Sequence, residues 1–360
     1  MTPKRILVMV TLAFLALLTL QTAGILPPLN FPDLAAALPG GGGFDPDALS
    51  VLAAGAAFGT IRTRILPTAN SVASGKTATI DLPIGIKYHS VGLTIGYDGS
   101  NASKETAGTA ANQVVNDIRV LINGKLQRLH SLKQLNAINI ANGSQYAIRT
   151  SGSMGSSGYR EYIKIFLSEP WRKDIRQQAM GAWNMNPADV RSFQVQVDFA
   201  TITSPVLSGY YEFEELGDAR LGGILKWIRQ TFPAVGSSVE AATIQRPVGD
   251  FLQALQFFAT SDGKYVNQLK LTVNGAQVQE EIDYLTQRAR LFGWDLNPDT
   301  NAYSTTNYLS PRFDLPFDVD DPIAQAIRLE LVRELTFKAT LDSAASGTLD
   351  VMVGRIGAPD

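Results

Sequence analysis

Four aspartates lie close together in the segment FDLPFDVDDP, where clustered carboxylates could bind a cation: Asp314, Asp318, Asp320 and Asp321. Hard cations such as Ca²⁺ favour several oxygen ligands gathered in one loop. The spacing of these four differs from that of the twelve-residue calcium loop, so the default interpretation is a solvated polar loop. The sequence therefore leaves Ca²⁺ as a weak candidate metal and predicts no other cofactor.

Nucleophilic and acid–base chemistry has little material in this chain. It contains no cysteine and two histidines, His89 and His130. Without cysteine, a thiolate nucleophile, a disulfide scaffold and a zinc site with sulfur ligands are excluded. Neither histidine has an obvious acidic partner in the sequence, which favours packing or surface roles for both.

Two short segments resemble parts of catalytic signatures but fail at a required position. Ser74-Gly75-Lys76-Thr77 resembles the end of a phosphate-binding loop, yet that loop needs a glycine five residues before Gly75, where Asn70 stands. The Gly/Ser-rich run Ser151–Gly158 contains no G-x-S-x-G elbow, because the residue two beyond Ser157 is Tyr159. The sequence thus predicts no catalytic residues, and a protein that is not an enzyme.

The charge balance argues against nucleic acid as a direct partner. The chain carries 31 Lys and Arg against 33 Asp and Glu, a net charge of −2. Nucleic-acid binding relies on basic patches, so we expect no direct, sequence-specific binding of this kind. A length of 360 residues suits two domains, and 45% hydrophobic with 18% charged residues is typical of a folded chain.

Alternation of apolar and polar residues dominates the chain after Thr60. In SFQVQVDF, the apolar residues from Phe193 to Phe199 fall on one face and the polar ones on the other, and IRLEL (Ile327–Leu331) does the same. This period of two indicates half-buried antiparallel strands. Further strands are predicted at Thr77–Leu82, Val91–Tyr97, Ile118–Ile122, Glu161–Leu167, Gly209–Phe213, Leu269–Val273, Leu335–Leu341 and Thr348–Val353.

An internal repeat indicates duplication. VNDIRVLING, ending at Asn123-Gly124, aligns with VNQLKLTVNG, ending at Asn274-Gly275, at a constant shift of 151 residues. Each copy is a strand that ends in a tight-turn dipeptide, and a segment that can be helical follows each one, LHSLKQLNAI and QEEIDYLTQRARLF. We therefore predict two copies of one β-domain.

The predicted organisation has four parts. They are an apolar N-terminal arm at 1–59, a first β-domain at 60–217, a linker helix at 218–239 and a shorter second β-domain at 240–360. The linker is predicted as helix because Leu221, Leu225 and Ile228 have helical spacing. Its Lys226-Trp227-Ile228-Arg229 is expected to pack at the domain junction rather than on a membrane surface.

The N-terminal arm has the composition of a membrane segment. Lys4 and Arg5 precede an uncharged run from Ile6 to Pro32, and its apolar part, from Ile6 to about Ile25, is just long enough to span a bilayer. Two interpretations stay open, a retained membrane segment and a cleaved signal peptide, although the site around Ala23 fits cleavage poorly. The predicted membrane-associated residues are Lys4, Arg5, Ile6, Leu12, Phe14, Leu17, Leu20 and Ile25.

These patterns resemble the double jelly-roll major capsid proteins of tailless, membrane-containing bacteriophages. The segment from Tyr162 to Phe199 and VNDIRVLINGKLQRL resemble the first jelly-roll of the corticovirus type. In the second domain, IDYLTQRARLFGWDLNP is similar to the tectivirus type. The resemblance implies an all-β fold of two tandem eight-stranded antiparallel jelly-rolls with short flanking helices and an apolar N-terminal helix.

The resemblance also implies a function. The chain would form pseudo-hexagonal homotrimers that tile an icosahedral shell around an internal membrane, in contact with neighbouring capsomers, membrane lipid and minor virion proteins. It would reside in the virion, and in the host cell during assembly. The alternative is a secreted or surface-anchored tandem β-sandwich with a cleaved signal peptide that binds a carbohydrate or a protein.

Overall fold

A computed structural model of the chain describes residues 61–98, 114–141, 148–151, 158–172, 182–215, 220–259, 266–284, 286–287, 290, 312–317, 326–341 and 347–360. Thr60–Asp360 is one compact unit. The predicted membrane-associated residues lie outside the described ranges. Within those ranges, no helix is long and apolar enough to cross a membrane.

The first half of this unit is a sandwich of two antiparallel sheets. One sheet has the order β1-β10-β3-β7-β6, with β8 beside β3, and the other has the order β5-β4-β9-β2. One helix, α1 (Leu132–Ala141), follows β5. The strands are β1 Arg62–Ile65, β2 Thr77–Leu82, β3 Ile86–Asp98, β4 Val115–Ile122, β5 Lys125–His130, β6 Ile148–Ser151, β7 Gly158–Phe166, β8 Trp183–Asn184, β9 Phe193–Phe199 and β10 Val206–Glu215.

The second half repeats this topology. Its sheets have the orders β11-β19-β13-β16, with β17 beside β13, and β12-β18-β14-β15. A 3₁₀ turn, Leu329–Leu331, follows β17. The strands are β11 Ile224–Pro233, β12 Ser238–Thr243, β13 Phe251–Ala259, β14 Val266–Val273, β15 Ala276–Asp283, β16 Arg312–Pro316, β17 Ile327–Arg328, β18 Leu335–Leu341 and β19 Thr348–Gly357.

Both halves are jelly-rolls, as the sequence predicts. When the short strands β6, β8 and β17 are left aside, eight strands remain in each half, and we number them one to eight along the chain. Both halves then have one sheet of order 1-8-3-6 and one of order 2-7-4-5. The predicted repeat therefore falls on equivalent strands, since β4 and β14 are each the fourth. Alternating residues fill the two cores: in β9, Phe193, Val195, Val197 and Phe199 are buried.

The two jelly-rolls share a sheet. Strand β5 of the first lies beside β11 of the second in parallel, with Trp227 opposite Arg128 and Ile228 opposite Leu129, which makes one nine-stranded sheet. Within this topology the first and fifth strands run in the same direction. Since β5, a fifth strand, and β11, a first strand, pair in parallel, both sandwiches have the same orientation. The Asn123-Gly124 and Asn274-Gly275 turns therefore lie at the same end of the unit, here called the Asn-Gly end.

The predicted linker helix at 218–239 is wrong, because Ile224–Pro233 is strand β11. Ile224, Leu225, Lys226 and Trp227 are all buried, since this part of the strand is covered on both faces. Such a strand loses the alternation that identifies half-buried strands, and its apolar residues can mimic helical spacing. The second jelly-roll thus takes its first strand from the predicted linker.

Two smaller predictions also need correction. In IRLEL, Ile327–Arg328 is a strand but Leu329–Leu331 is a 3₁₀ turn that leaves Leu331 67% exposed. QEEIDYLTQRARLF begins as strand, because β15 continues to Asp283.

The other predicted helix is confirmed as α1. Ser131 caps it, since its hydroxyl accepts the Gln134 N–H while the Gln134 side chain accepts the Ser131 N–H.

Candidate functional site

The predicted aspartate cluster is only partly within the described residues. Asp314 lies in β16, where its carbonyl accepts a hydrogen bond from Gln287 Nε2 at 2.6 Å. Asp318, Asp320 and Asp321 lie outside the described ranges. Among the residues that the structure describes, no group of three or more His, Asp or Glu side chains could hold a metal ion. The Ca²⁺ site stays a prediction.

His89 lies at a bulge in β3 and does have an acidic partner. Glu212 pairs with Ser90 and Phe213 with Tyr88, so His89 is the extra residue between them. Its Nε2 lies 3.3 Å from Glu214 Oε1. The expectation of no acidic partner was wrong here, since Glu214 is on β10, which is remote in sequence but adjacent in the sheet. Burial lowers the pKa of His89, and the nearby Glu214 opposes that effect.

His130 is a core residue at the end of β5. It is fully buried, and burial, with the nearby Arg128 guanidinium, lowers the pKa of His130 to about 3. Neither ring nitrogen bonds to another of the described residues. A neutral imidazole packed in this way agrees with the predicted packing role.

A cluster of buried charges lies where the two jelly-rolls join. Lys226 on β11 is fully buried, and its Nζ lies 3.0 Å from Asp250 Oδ2 and 2.9 Å from Asp360 Oδ1. Arg355 on β19 contacts the same Asp250 carboxylate, and its Nη2 lies 3.0 Å from Asp360 Oδ2. Two buried cations thus share two carboxylates, which satisfies charges that would otherwise be costly to bury. We call these four residues the junction cluster.

Residues of the first jelly-roll hold the second directly. Arg128 Nε donates to the Leu225 carbonyl at 3.1 Å, and its guanidinium lies over the Trp183 ring at 5.6 Å. Burial lowers the pKa of Arg128 to about 9, while the nearby Glu169 raises it. Gln127 Oε1 accepts the N–H of Asp360 at 3.2 Å, which ties the first jelly-roll to the junction cluster.

Two side-chain contacts and an apolar cluster complete the junction. Arg229 Nη2 lies 2.8 Å from Asp117 Oδ1, and Gln134 Nε2 donates to Asp350 Oδ2 at 2.9 Å. The apolar side chains come from α1, β11, β13 and β19, and they are Ala137, Ile138, Leu225, Trp227, Phe258, Met352 and Ile356. The predicted packing of Lys226-Trp227-Ile228-Arg229 at the domain junction is therefore confirmed. This arrangement fixes two similar sandwiches in one orientation.

A second repeated device lies at the Asn-Gly end. Asn123 and Asn274 have φ values of 52° and 51°, and their side chains hold the chain that precedes the seventh strand of each jelly-roll. Asn123 Oδ1 accepts the N–H groups of Arg191 and Ser192, and its Nδ2 donates to the Asp189 carbonyl. Asn274 makes the equivalent three bonds, to Arg333, Glu334 and Leu331. We call each set an asparagine clamp.

Comparison with known proteins agrees with this geometry. Residues 63–214 match the family model of the viral coat protein P2 N-terminal domain. No curated protein matches the chain significantly. Among solved structures, the major capsid protein P2 of bacteriophage PM2 superposes with a TM-score of 0.62 at 16% identity, over 83% of this chain and 98% of that one.

Two other viral structures share the fold. The atomic structure of Sulfolobus turreted icosahedral virus contains a chain that matches with a TM-score of 0.59 at 11% identity, over 84% of this chain and 92% of that one. The Faustovirus major capsid protein matches with a TM-score of 0.51 at 7% identity, over 95% and 96% of the two chains. Identities this low establish the fold, while the family match identifies the first domain. The chain therefore has the double jelly-roll fold of these viral capsid proteins, and residues 63–214 match the viral coat protein P2 N-terminal domain.

Proposed function

We propose that this capsid protein forms pseudo-hexagonal homotrimers that tile an icosahedral shell around an internal lipid membrane. The observation that carries the proposal is the fixed pair of jelly-rolls: they share a topology and an orientation, and β5 and β11 join them. Three such chains around a threefold axis present six similar sandwiches, so one chain can fill a hexagonal position in a shell.

The junction supports this role because a shell unit must transmit lateral forces without bending. The shared sheet, the junction cluster and the apolar cluster resist rotation of one sandwich against the other. Neighbouring capsomers and minor virion proteins are the other partners in the proposal. The secreted binding protein, the alternative reading of the sequence, finds no support in the family match.

The oligomeric state tests the proposal. The full chain, kept soluble in mild detergent, should sediment with a protein mass of three 38.9 kDa chains after correction for bound detergent. Electron microscopy of purified particles should show capsomers with six similar lobes. A chain that stays monomeric at micromolar concentration, or particles without six-lobed capsomers, would contradict the trimer.

The N-terminal arm is proposed to be retained and to embed in the membrane inside the shell. The support is the uncharged run from Ile6 to Pro32 behind Lys4 and Arg5, since cations next to an apolar segment favour anionic headgroups. Intact-mass measurement of the protein from particles should give a chain that begins at or next to Met1. A mature chain that begins near Gly24 would show that the segment is a cleaved signal peptide.

A further inference from the structure

Equivalent turns in the two jelly-rolls carry an exposed aliphatic residue. Pro83-Ile84-Gly85 joins the second and third strands of the first jelly-roll, and Pro247-Val248-Gly249 joins those of the second. Ile84 is 39% exposed and Val248 is 78% exposed. The motif Pro-aliphatic-Gly is thus present twice, at one place in the fold.

The fold accounts for the proline and the glycine of this motif but not for the residue between them. Gly85 and Gly249 have φ values of 89° and 92°, a conformation that glycine adopts readily. Proline also suits a tight turn. Val248 is mostly exposed and Ile84 partly exposed, so burial alone does not explain an aliphatic residue in both copies.

A cationic residue is repeated near these turns. Arg191 and Arg333 occupy equivalent positions, since the N–H of each is held by an asparagine clamp. Both side chains are exposed. Each clamp therefore presents an arginine to the solvent at the Asn-Gly end, and Leu331, 67% exposed, lies beside the second one.

All these residues share one end of the unit. The turns between second and third strands, the Asn-Gly turns and the clamped chain lie at the same end of a jelly-roll, and both sandwiches have the same orientation. Strand β1 also begins there, because Arg62 pairs with Phe213 near the end of β10.

We propose that the Asn-Gly end binds directly to the surface of a lipid bilayer with anionic headgroups. Ile84 and Val248 enter the interfacial layer, and Arg191 and Arg333 meet lipid phosphates. Apolar side chains combined with cations are the combination that favours such an interface. The proposal rests on the proposed function for its membrane, and adds which end of the unit faces the lipid and through which residues.

Single cysteines can test this contact, because the chain has none of its own. Full-length Ile84→Cys and Val248→Cys, each labelled with an environment-sensitive fluorophore, are bound to phosphatidylcholine vesicles that contain phosphatidylglycerol. Val235→Cys is the matched control, since Val235 is 83% exposed at the turn between β11 and β12, at the opposite end. Nitroxide-labelled lipids then quench only the fluorophores that touch the bilayer.

The expected result is a blue shift and quenching at positions 84 and 248, with neither at position 235. Because the three cysteine variants keep both the N-terminal arm and the two arginines, vesicle flotation should be similar for all three, so the probes report orientation rather than binding. Absence of quenching at 84 and 248 in floated protein overturns the proposal, as does equal quenching at 235. Probes that are shielded in particles but unquenched by lipid would assign this end to a protein partner and also overturn it.

The arginines provide a second measurement on full-length protein. Arg191→Gln and Arg333→Gln should each weaken partition into the anionic vesicles about fivefold at low salt, and less in salt that screens the headgroups. Lys76→Gln is the control, because Lys76 is an exposed cation in the turn before β2, at the opposite end. Equal effects of all three variants would contradict a specific contact. A failed trimer measurement would count against the proposed function instead, and sedimentation separates the two failures.

Discussion

Asp250 is the more buried of the two carboxylates that Lys226 and Arg355 share, since its side chain is 6% exposed and that of Asp360 is 38% exposed. Replacement by asparagine leaves Asp360 as the carboxylate that Lys226 and Arg355 share, while Lys226 Nζ keeps its hydrogen bond to the Ala358 carbonyl. Breaking a buried ion pair typically costs about 3–5 kcal/mol, so Asp250→Asn should lower the free energy of unfolding by about that amount. Urea denaturation of the purified protein measures the change.

Arg62→Gln is the control for this substitution. Arg62 pairs with Glu215 at 2.8 Å, but the two side chains are 56% and 73% exposed. An exposed pair contributes about 0–1 kcal/mol, so this variant should unfold almost as the wild type does. Equal losses in the two variants would show that burial does not set the strength of the junction cluster.

His130 predicts a loss of stability in acid. Its pKa is about 3 in the folded chain and near 6.5 in the unfolded chain, so between these values only the unfolded chain binds the proton. The stability conferred by the neutral ring is therefore complete above pH 6.5 and is lost as the pH falls toward 3, by about 1.4 kcal/mol per pH unit. The difference in unfolding free energy between wild type and His130→Gln should shrink over this window. A constant difference would contradict the assignment.

At the scale of elements, the two asparagine clamps should make similar contributions to stability. Asn123→Ala loses three hydrogen bonds worth about 1 kcal/mol each and places alanine at a φ of 52°, which adds strain. We expect each of Asn123→Ala and Asn274→Ala to lower the unfolding free energy by roughly 3–4 kcal/mol. The glycine variants keep the backbone conformation and lose only the clamp, so they should cost less. Glycine variants as unstable as the alanine ones would rule out backbone strain as a contributor.

Half-buried strands could be predicted from the sequence, but strands covered on both faces could not. β2, β9 and β18 have the predicted bounds, because one face of each meets the core and the other meets solvent or polar side chains. In β11, both faces of Ile224–Trp227 are buried, so the alternation of apolar and polar residues is lost and the sequence predicts a helix there instead. Lys226 in that strand gave no signal of burial, since its partners Asp250 and Asp360 come from distant parts of the chain.

At the scale of the whole molecule, the shared sheet should make the two jelly-rolls unfold together. Calorimetry should show one transition, although the chain contains two separate main cores. Trp227→Ala removes the largest side chain of the apolar cluster at the junction and should split or broaden this transition. Ile65→Ala, at a position 84% exposed, is the control that should leave it unchanged. Two transitions in the wild type would mean that the junction does not couple the sandwiches.

The parallel pairing of β5 with β11 also has a consequence during synthesis on the ribosome. β11 begins 94 residues after β5 ends, at Ile224 against His130. At roughly 5–20 residues per second, β5 has been made for roughly 5–20 s before its parallel partner β11 begins, and during that time this side of β5 can pair with other nascent chains. The long gap therefore makes the edge of β5 a point at which newly made protein is exposed to aggregation.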